Sequence, residues 1–164
     1  MNPDKNRHAQ ENLSEKTFTP TVSVQRRLSY LQRCSLHRVT SAQFPGKILS
    51  ILERQEIPIL RMVASSTKLS MIVKLNQEDF ALILPLLNTL ASTVFEEHIA
   101  ALSISGVPWL KSLQLEKQIV ESLGAIPILM ISQKKNDGNL LLVIYDKDLE
   151  QALHCLRITS RWTV

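Results

Sequence analysis

The sequence predicts an α+β fold built from two similar units. The tetrapeptide Ile-Pro-Ile-Leu at 57–60 returns at 126–129, which marks an internal repeat of 69 residues. Each copy follows an amphipathic helical pattern and precedes a polar turn, a second apolar strand and another helical pattern. The order strand, helix, strand, strand, helix, with a further strand available, is the ferredoxin-like plan. In that plan an antiparallel sheet carries two helices on one face.

The first unit follows a polar segment, 1–27, which has little to bury and is predicted to be disordered or loosely packed, with a possible short edge strand at 21–25. Alternating side chains predict strands, and apolar residues three and four apart predict helices. The predicted elements of the unit 28–95 are a strand at 30–39, a helix at 45–55, strands at 57–64 and 69–75, and a helix capped by Asn76.

The second unit, 96–164, repeats this order after a short connection at 92–97. Gly124 is a good helix stop, and Asn136-Asp137-Gly138 is a strong hairpin turn. The predicted elements are a strand at 99–104, a helix ending at 123, strands at 126–132 and 140–145, a helix capped by Asp146, and a possible strand at 158–164.

Composition indicates a protein of the cytoplasm with no membrane partner. The 164 residues are 45% hydrophobic, and the longest apolar stretch, 80–87, is far shorter than the roughly 20 residues that span a bilayer. The polar N-terminus lacks the apolar centre of a signal peptide. Cys34 and Cys155 have no partner-rich spacing, so both are predicted to be reduced thiols.

The net charge of +4 includes a basic cluster on the predicted first strand. Nucleic acid is one candidate partner for such a cluster. A solvated face or a contact with an acidic partner is the favoured interpretation, because the cluster lies on a strand and aromatic residues are only 5% of the chain. The cluster comprises Arg26, Arg27, Arg33, His37 and Arg38.

Neither catalysis nor a cofactor is expected. No glycine-rich phosphate loop or nucleophile-elbow pattern is present, and the histidines lack metal-ligand spacing. We therefore expect no catalytic residues, no metal and no cofactor. The histidines are His8, His37, His98 and His154.

Several motifs resemble the ACT domain, a small amino-acid-sensing module, and in particular the tandem pair at the C-terminus of aspartokinase. Ser65-Ser66 lies before a strand, as in the first regulatory unit. The segment 99–106, ending in Gly106, resembles the opening strand of the second unit, and 148–157 with Leu153-His154 resembles its closing helix. The resemblance implies a regulatory part alone, or a separate small regulatory subunit, without a kinase domain.

The resemblance also implies feedback control of aspartate-family amino-acid biosynthesis by an effector such as lysine or threonine. The expected partners are a second copy of the chain or a catalytic subunit. In lysine-sensing members an acidic residue lies in the second strand and a Thr-Ser-Glu triplet follows it, whereas this chain has Leu60 and Ala64-Ser65-Ser66. A ligand-free interaction or oligomerisation protein of the same fold is therefore the alternative.

An effector site is expected where each first helix begins beside an edge strand. Backbone N–H groups at a helix start suit a carboxylate, and strand carbonyls suit an ammonium. The alternative is that Phe44 and Trp109 fill the core and these loops bind nothing. The expected effector-binding residues are Ser41, Gln43, Phe44, Gly46, Ile59, Leu60, Ser65, Ser66, Gly106, Val107, Trp109, Ile128 and Leu129.

Overall fold

The computed structural model describes residues 20–35, 43–65, 67–88, 91–106, 112–134 and 139–159. The elements are β1 (Thr21–Ser35), α1 (Gln43–Arg54), β2 (Ile59–Ala64), β3 (Lys68–Val73), α2 (Gln77–Asn88), β4 (Ala91–Ser105), α3 (Ser112–Leu123), β5 (Ile128–Lys134), β6 (Asn139–Tyr145), a 3-10 turn (Asp146–Asp148) and α4 (Leu149–Thr159). No helix of the described residues is long and apolar enough to cross a membrane.

The strands form one six-stranded sheet in the order β2-β3-β1-β4-β6-β5, and all neighbouring pairs are antiparallel. Exchanging β1 with β4, β2 with β5 and β3 with β6 reproduces the same order read backwards. The sheet therefore has an approximate two-fold relation between its halves. The predicted α+β class with two ferredoxin-like units is confirmed.

The two longest strands, β1 and β4, are shared between the halves. Residues 29–34 of β1 pair with β3 on one side and β4 on the other, whereas residues 21–25 pair with β4 at 101–105. The segment expected as a separate short strand at 21–25 is thus the start of β1, and it completes the sheet of the second half. The division into 28–95 and 96–164 stays a prediction; its boundaries fall inside β1 and β4.

The two-fold relation is centred where Leu28 pairs with Ile99. The preceding residues, Arg27 and His98, both have positive φ, at 60° and 57°. The register between β1 and β4 shifts on either side of Leu28. An extra residue in a strand changes which face the following side chains occupy. Matching bulges therefore bend both long strands at the same point.

All four helices cover one face of the sheet. Ile119 and Leu123 of α3 pack over Val22 in the second half, and Ile48 of α1 packs over Leu31 in the first. Because Leu28 and Tyr30 lie on the opposite face of β1, they belong to a third buried cluster with Ile72, Ile99, Ala101, Met130 and Val143. Buried side chains therefore occur on both faces of the sheet, although only one face carries helices.

Helix ends follow the local sequence in two places and depart from it in one. Asn76 Oδ1 accepts a hydrogen bond from Asp79 N at 2.7 Å, as expected of an N-cap. Gly124 follows α3 with φ of 55°, as expected of a helix stop. Asp146 was expected to cap the last helix. It instead begins the 3-10 turn that precedes α4, and the N-cap residue of that turn, Tyr145, makes no side-chain cap bond. The Asp146 carboxylate instead binds Arg26 at 2.7 Å.

Candidate functional site

The expected effector-binding residues of the first half lie on α1, on β2 and in the turn after β2. Gln43, Phe44 and Gly46 belong to the first turn of α1, and a side chain added at Gly46 would meet nothing within 4 Å. Ile59 and Leu60 begin β2. Ser41 and Ser66 lie outside the described residues.

Ser65 is already engaged in the turn between β2 and β3. Its Oγ accepts a hydrogen bond from Lys68 N at 3.0 Å, and its backbone N–H donates to Lys68 O at 2.8 Å. These bonds give Ser65 a structural role in the hairpin turn. A ligand contact from the same hydroxyl would compete with that role.

The expected residues of the second half are placed less completely. Gly106 follows β4 with φ of 82°, a conformation that favours glycine. Ile128 and Leu129 begin β5 and are half-buried. Val107 and Trp109 lie outside the described residues. The effector site expected where the helix after Gly106 begins beside β5 therefore stays a prediction.

β2 is an outer strand of the sheet and shows apolar side chains to solvent. Leu60, Met62 and Val63 are 36%, 38% and 40% exposed. An outer strand presents unpaired backbone groups that can bind an extended segment or a second sheet. The β2 edge therefore suits association with another chain.

The described residues of the basic cluster do not share one solvated face, which was one of the two favoured interpretations. Arg33 is completely buried, and its Nη2 donates to the carbonyl of Leu87 at the end of α2. Burial lowers the pKa of Arg33 to about 10. Arg26 forms the bidentate pair with Asp146, and the hydrogen bond from Arg26 holds the pKa of that carboxyl below its usual value. His37 and Arg38 lie outside the described residues.

A cavity of about 290 Å³ lies on the face of the sheet that the helices leave uncovered. Leu60 and Arg61 of β2 line it together with Leu141 of β6, four strands away in the sheet. Strands lie about 4.8 Å apart, so these positions would be roughly 19 Å apart in a flat sheet. The sheet must curve for both to line one cavity, which we call the concave pocket. Its other lining residues are Ser23, Gln25, Ile72, Ala101 and Ser103.

A second cavity, of about 560 Å³, lies where the bulges of β1 and β4 meet the start of α2. Arg27, His98 and Glu97 line it. The Glu97 carboxylate accepts a hydrogen bond from Gln77 N at 2.8 Å, so it satisfies one of the free N–H groups at the start of α2. Glu97 therefore joins the strand to the helix, which accounts for its position without a ligand.

The polar lining of the concave pocket was missed at the sequence level. Arg61 aligns with Met130 when the two copies of the tetrapeptide are superimposed, and that difference between the repeats was the available signal. Ser23, Gln25 and Ser103 carried no signal, because alternation does not reveal which face of a strand a cavity will occupy. No group of three or more His, Cys, Asp or Glu that could hold a metal occurs among the described residues.

The two-fold sheet, its shared long strands and its four helices define a tandem of two ferredoxin-like units. Solved structures have the same arrangement. A domain described as the C-terminal regulatory domain of aspartate kinase from Porphyromonas gingivalis is 19% identical with a TM-score of 0.72, and the match covers 86% of this chain and 96% of that one. The regulatory subunit of aspartate kinase from Thermus thermophilus, in its ligand-free form, is 17% identical with a TM-score of 0.69, covering 88% and 98%.

Full-length enzymes match over the corresponding part only. Escherichia coli aspartokinase III in complex with lysine and aspartate is 22% identical with a TM-score of 0.68, and the match covers 88% of this chain and 34% of that one. Neither the family models nor the curated protein sequences match the chain. The expected resemblance to the aspartokinase regulatory region is thus confirmed as a likeness of fold.

Proposed function

We propose that the chain is a non-catalytic regulatory module that binds an amino acid and thereby alters a partner enzyme in the cytoplasm. The supporting observation is that the chain matches nearly the whole length of isolated aspartate kinase regulatory domains and about a third of a full-length enzyme. The partner is most simply an aspartokinase-type catalytic chain, and the effector an amino acid such as lysine or threonine.

The proposed effector site lies at the start of α1 beside the β2 edge. N–H groups of the first turn of α1 would bind the carboxylate, and the absence of a side chain at Gly46 leaves room for it. Carbonyls of the outer strand β2 would bind the ammonium. The ligand changes the partner's activity only if it binds one packing of the units better than another.

A melting scan against the twenty amino acids tests this proposal. A ligand at 100 times its dissociation constant should add about 2.7 kcal/mol to the free energy of unfolding. Gly46→Leu should abolish the ligand-induced increase, because the new side chain occupies the open space on α1. Arg54→Leu, in the last turn of the same helix and also exposed, should leave the increase intact. A flat response to all twenty would refute amino-acid sensing.

The second candidate is an interaction or oligomerisation protein that keeps the fold without a ligand. The exposed apolar side chains of the β2 edge favour it. Its test is the molar mass in solution as a function of concentration, with Met62→Lys as the perturbation, because a charge on an outer strand opposes edge pairing. Leu82→Lys, on exposed α2 surface, is the matched control. If Met62→Lys leaves the mass unchanged, the β2 edge is not the association surface.

A further inference from the structure

We propose that the concave pocket binds a small organic carboxylate with an apolar body, and that Arg61 holds the carboxylate. This site lies on the uncovered face of the sheet, away from the helix starts, and both halves of the chain contribute to it. The proposal does not rest on amino-acid sensing: the pocket can bind its ligand even if no amino acid binds at α1.

The charge of the lining residues favours an anionic ligand. Arg61 is the one charged residue among the described lining residues, and none of these residues carries a carboxylate. Within the described part of the chain, Arg61 also forms no salt bridge. Its side chain is partly buried, so a carboxylate that reached it would be less screened than at an open surface. A guanidinium presents a planar pair of donors that matches a carboxylate.

The other lining residues indicate the chemistry of the rest of the ligand. Ile72, Ala101 and Leu141 supply an apolar floor, and the Ser23 and Ser103 hydroxyls stand beside it. The volume is at the small end for ligand sites, which begin near about 300 Å³. An ammonium would lack a charged acceptor in this lining and would lose hydration on entry. A carboxylic acid with a short hydrocarbon body fits better than an amino acid.

The other half of the sheet shows that this cavity is not a necessary product of the fold. There Tyr30 Oη lies 3.1 Å from Ser70 Oγ, and Gln32 Nε2 donates to Tyr30 Oη at 2.5 Å, so the polar groups satisfy one another. Met130 is buried at the position that corresponds to Arg61. By strand register, the pocket residues Arg61, Ala101, Ser103 and Leu141 correspond to Met130, Tyr30, Gln32 and Ser70.

The difference between the halves is therefore one of size and charge at matched positions. Alanine at the position of tyrosine opens space, and arginine at the position of methionine places beside it a cation with no salt-bridge partner among the described residues. Packing alone does not require these two differences, because the other half is filled at the matched positions.

Isovalerate is the probe for the experiment, added to the full chain while backbone and methyl resonances are followed by NMR. We expect saturable shifts at Ile72, Ala101 and Leu141. Arg61→Gln should weaken binding about tenfold or more, the effect of losing one hydrogen bond to a charged group. Ala101→Tyr, which introduces the residue found at the matching position of the other half, should abolish binding. Arg157→Gln, an exposed arginine on α4, should leave the affinity unchanged.

The neutral analogue isovaleramide and the amino acid valine separate the possible outcomes. Equal binding of isovaleramide, or unchanged binding by Arg61→Gln, would overturn the role of Arg61. If valine produces shifts confined to α1 and β2, that result supports amino-acid sensing and does not support this pocket. If Ala101→Tyr fails to fold, Arg61→Met supplies a second test, because methionine is already accommodated at the matching position. Absence of any saturable shift with isovalerate would overturn the proposal.

Discussion

Replacing the buried Arg33 with methionine is expected to stabilise the protein. Burial lowers the pKa of Arg33 to about 10, well below the usual value for arginine. Each pKa unit corresponds to about 1.36 kcal/mol, so burying the charged guanidinium costs about 3 kcal/mol. Nε and Nη1 of Arg33 have no hydrogen-bond partner among the described residues. Methionine fills similar space without a charge and adapts its shape to irregular cores.

The gain is reduced because the Leu87 carbonyl loses its donor. An unsatisfied buried acceptor costs about 1–3 kcal/mol, which leaves a net stabilisation of about 1 kcal/mol. Since the pKa of a basic group is lowered in the folded protein, its cost is fully present at neutral pH. That cost declines as pH rises above about 10. The difference in free energy of unfolding between Arg33→Met and the unchanged protein should therefore become smaller there.

Equilibrium unfolding in urea, followed by circular dichroism, measures the effect. Arg157→Met on exposed surface is the control and should change the free energy of unfolding by less than about 0.5 kcal/mol. If Arg33→Met instead destabilises the protein by more than about 1 kcal/mol, the guanidinium has a compensating partner and the reasoning fails. An advantage that did not change above pH 10 would also contradict it.

Three further predictions concern backbone conformation and the ion pair between the halves. Glu56, after α1, has φ of 53°, so Glu56→Gly should raise the free energy of unfolding by about 0.5–1 kcal/mol in urea titrations. Gly124→Ala should lower it by about 1 kcal/mol, because Gly124, directly after α3, also has positive φ. Asp146→Asn should lower the melting temperature at neutral pH. Because the pKa of Asp146 is lowered by Arg26, that difference should vanish as pH falls through the acidic range and should shrink in high salt. In the Arg26→Gln background, Asp146→Asn should have little effect; an undiminished effect would show that the pair is not responsible.

The repeat made the fold predictable, but not how the long strands are shared. The tetrapeptide, the helical stripes, the N-cap at Asn76 and the helix stop at Gly124 are local signals, and local signals were enough to define two β-α-β-β-α units. The pairing of 21–25 with 101–105 is not local. Alternation shows that a segment is extended, and it carries no information on which distant strand the segment will join.

The same limit explains the site and the arginines. Arg33 and Tyr30 are three residues apart, so alternation puts them on opposite sides of the strand, but burial of the Arg33 side depends on where α2 ends. Arg61 was visible only as a difference from Met130 between the repeats. Its importance depends on the curvature of the sheet, which brings β2 opposite β6, and no periodicity in the sequence encodes that curvature.

The shared long strands also constrain how the chain can be assembled during synthesis. Thr21 leaves the ribosome 84 residues ahead of its partner Ser105. Residues 30–35 of β1 likewise wait for residues 91–96 of β4. Neither half can therefore close before β4 has been made, and contacts of such long separation slow folding. Until then the nascent chain exposes open strand edges, which are the kind of segment that chaperones for extended chains bind.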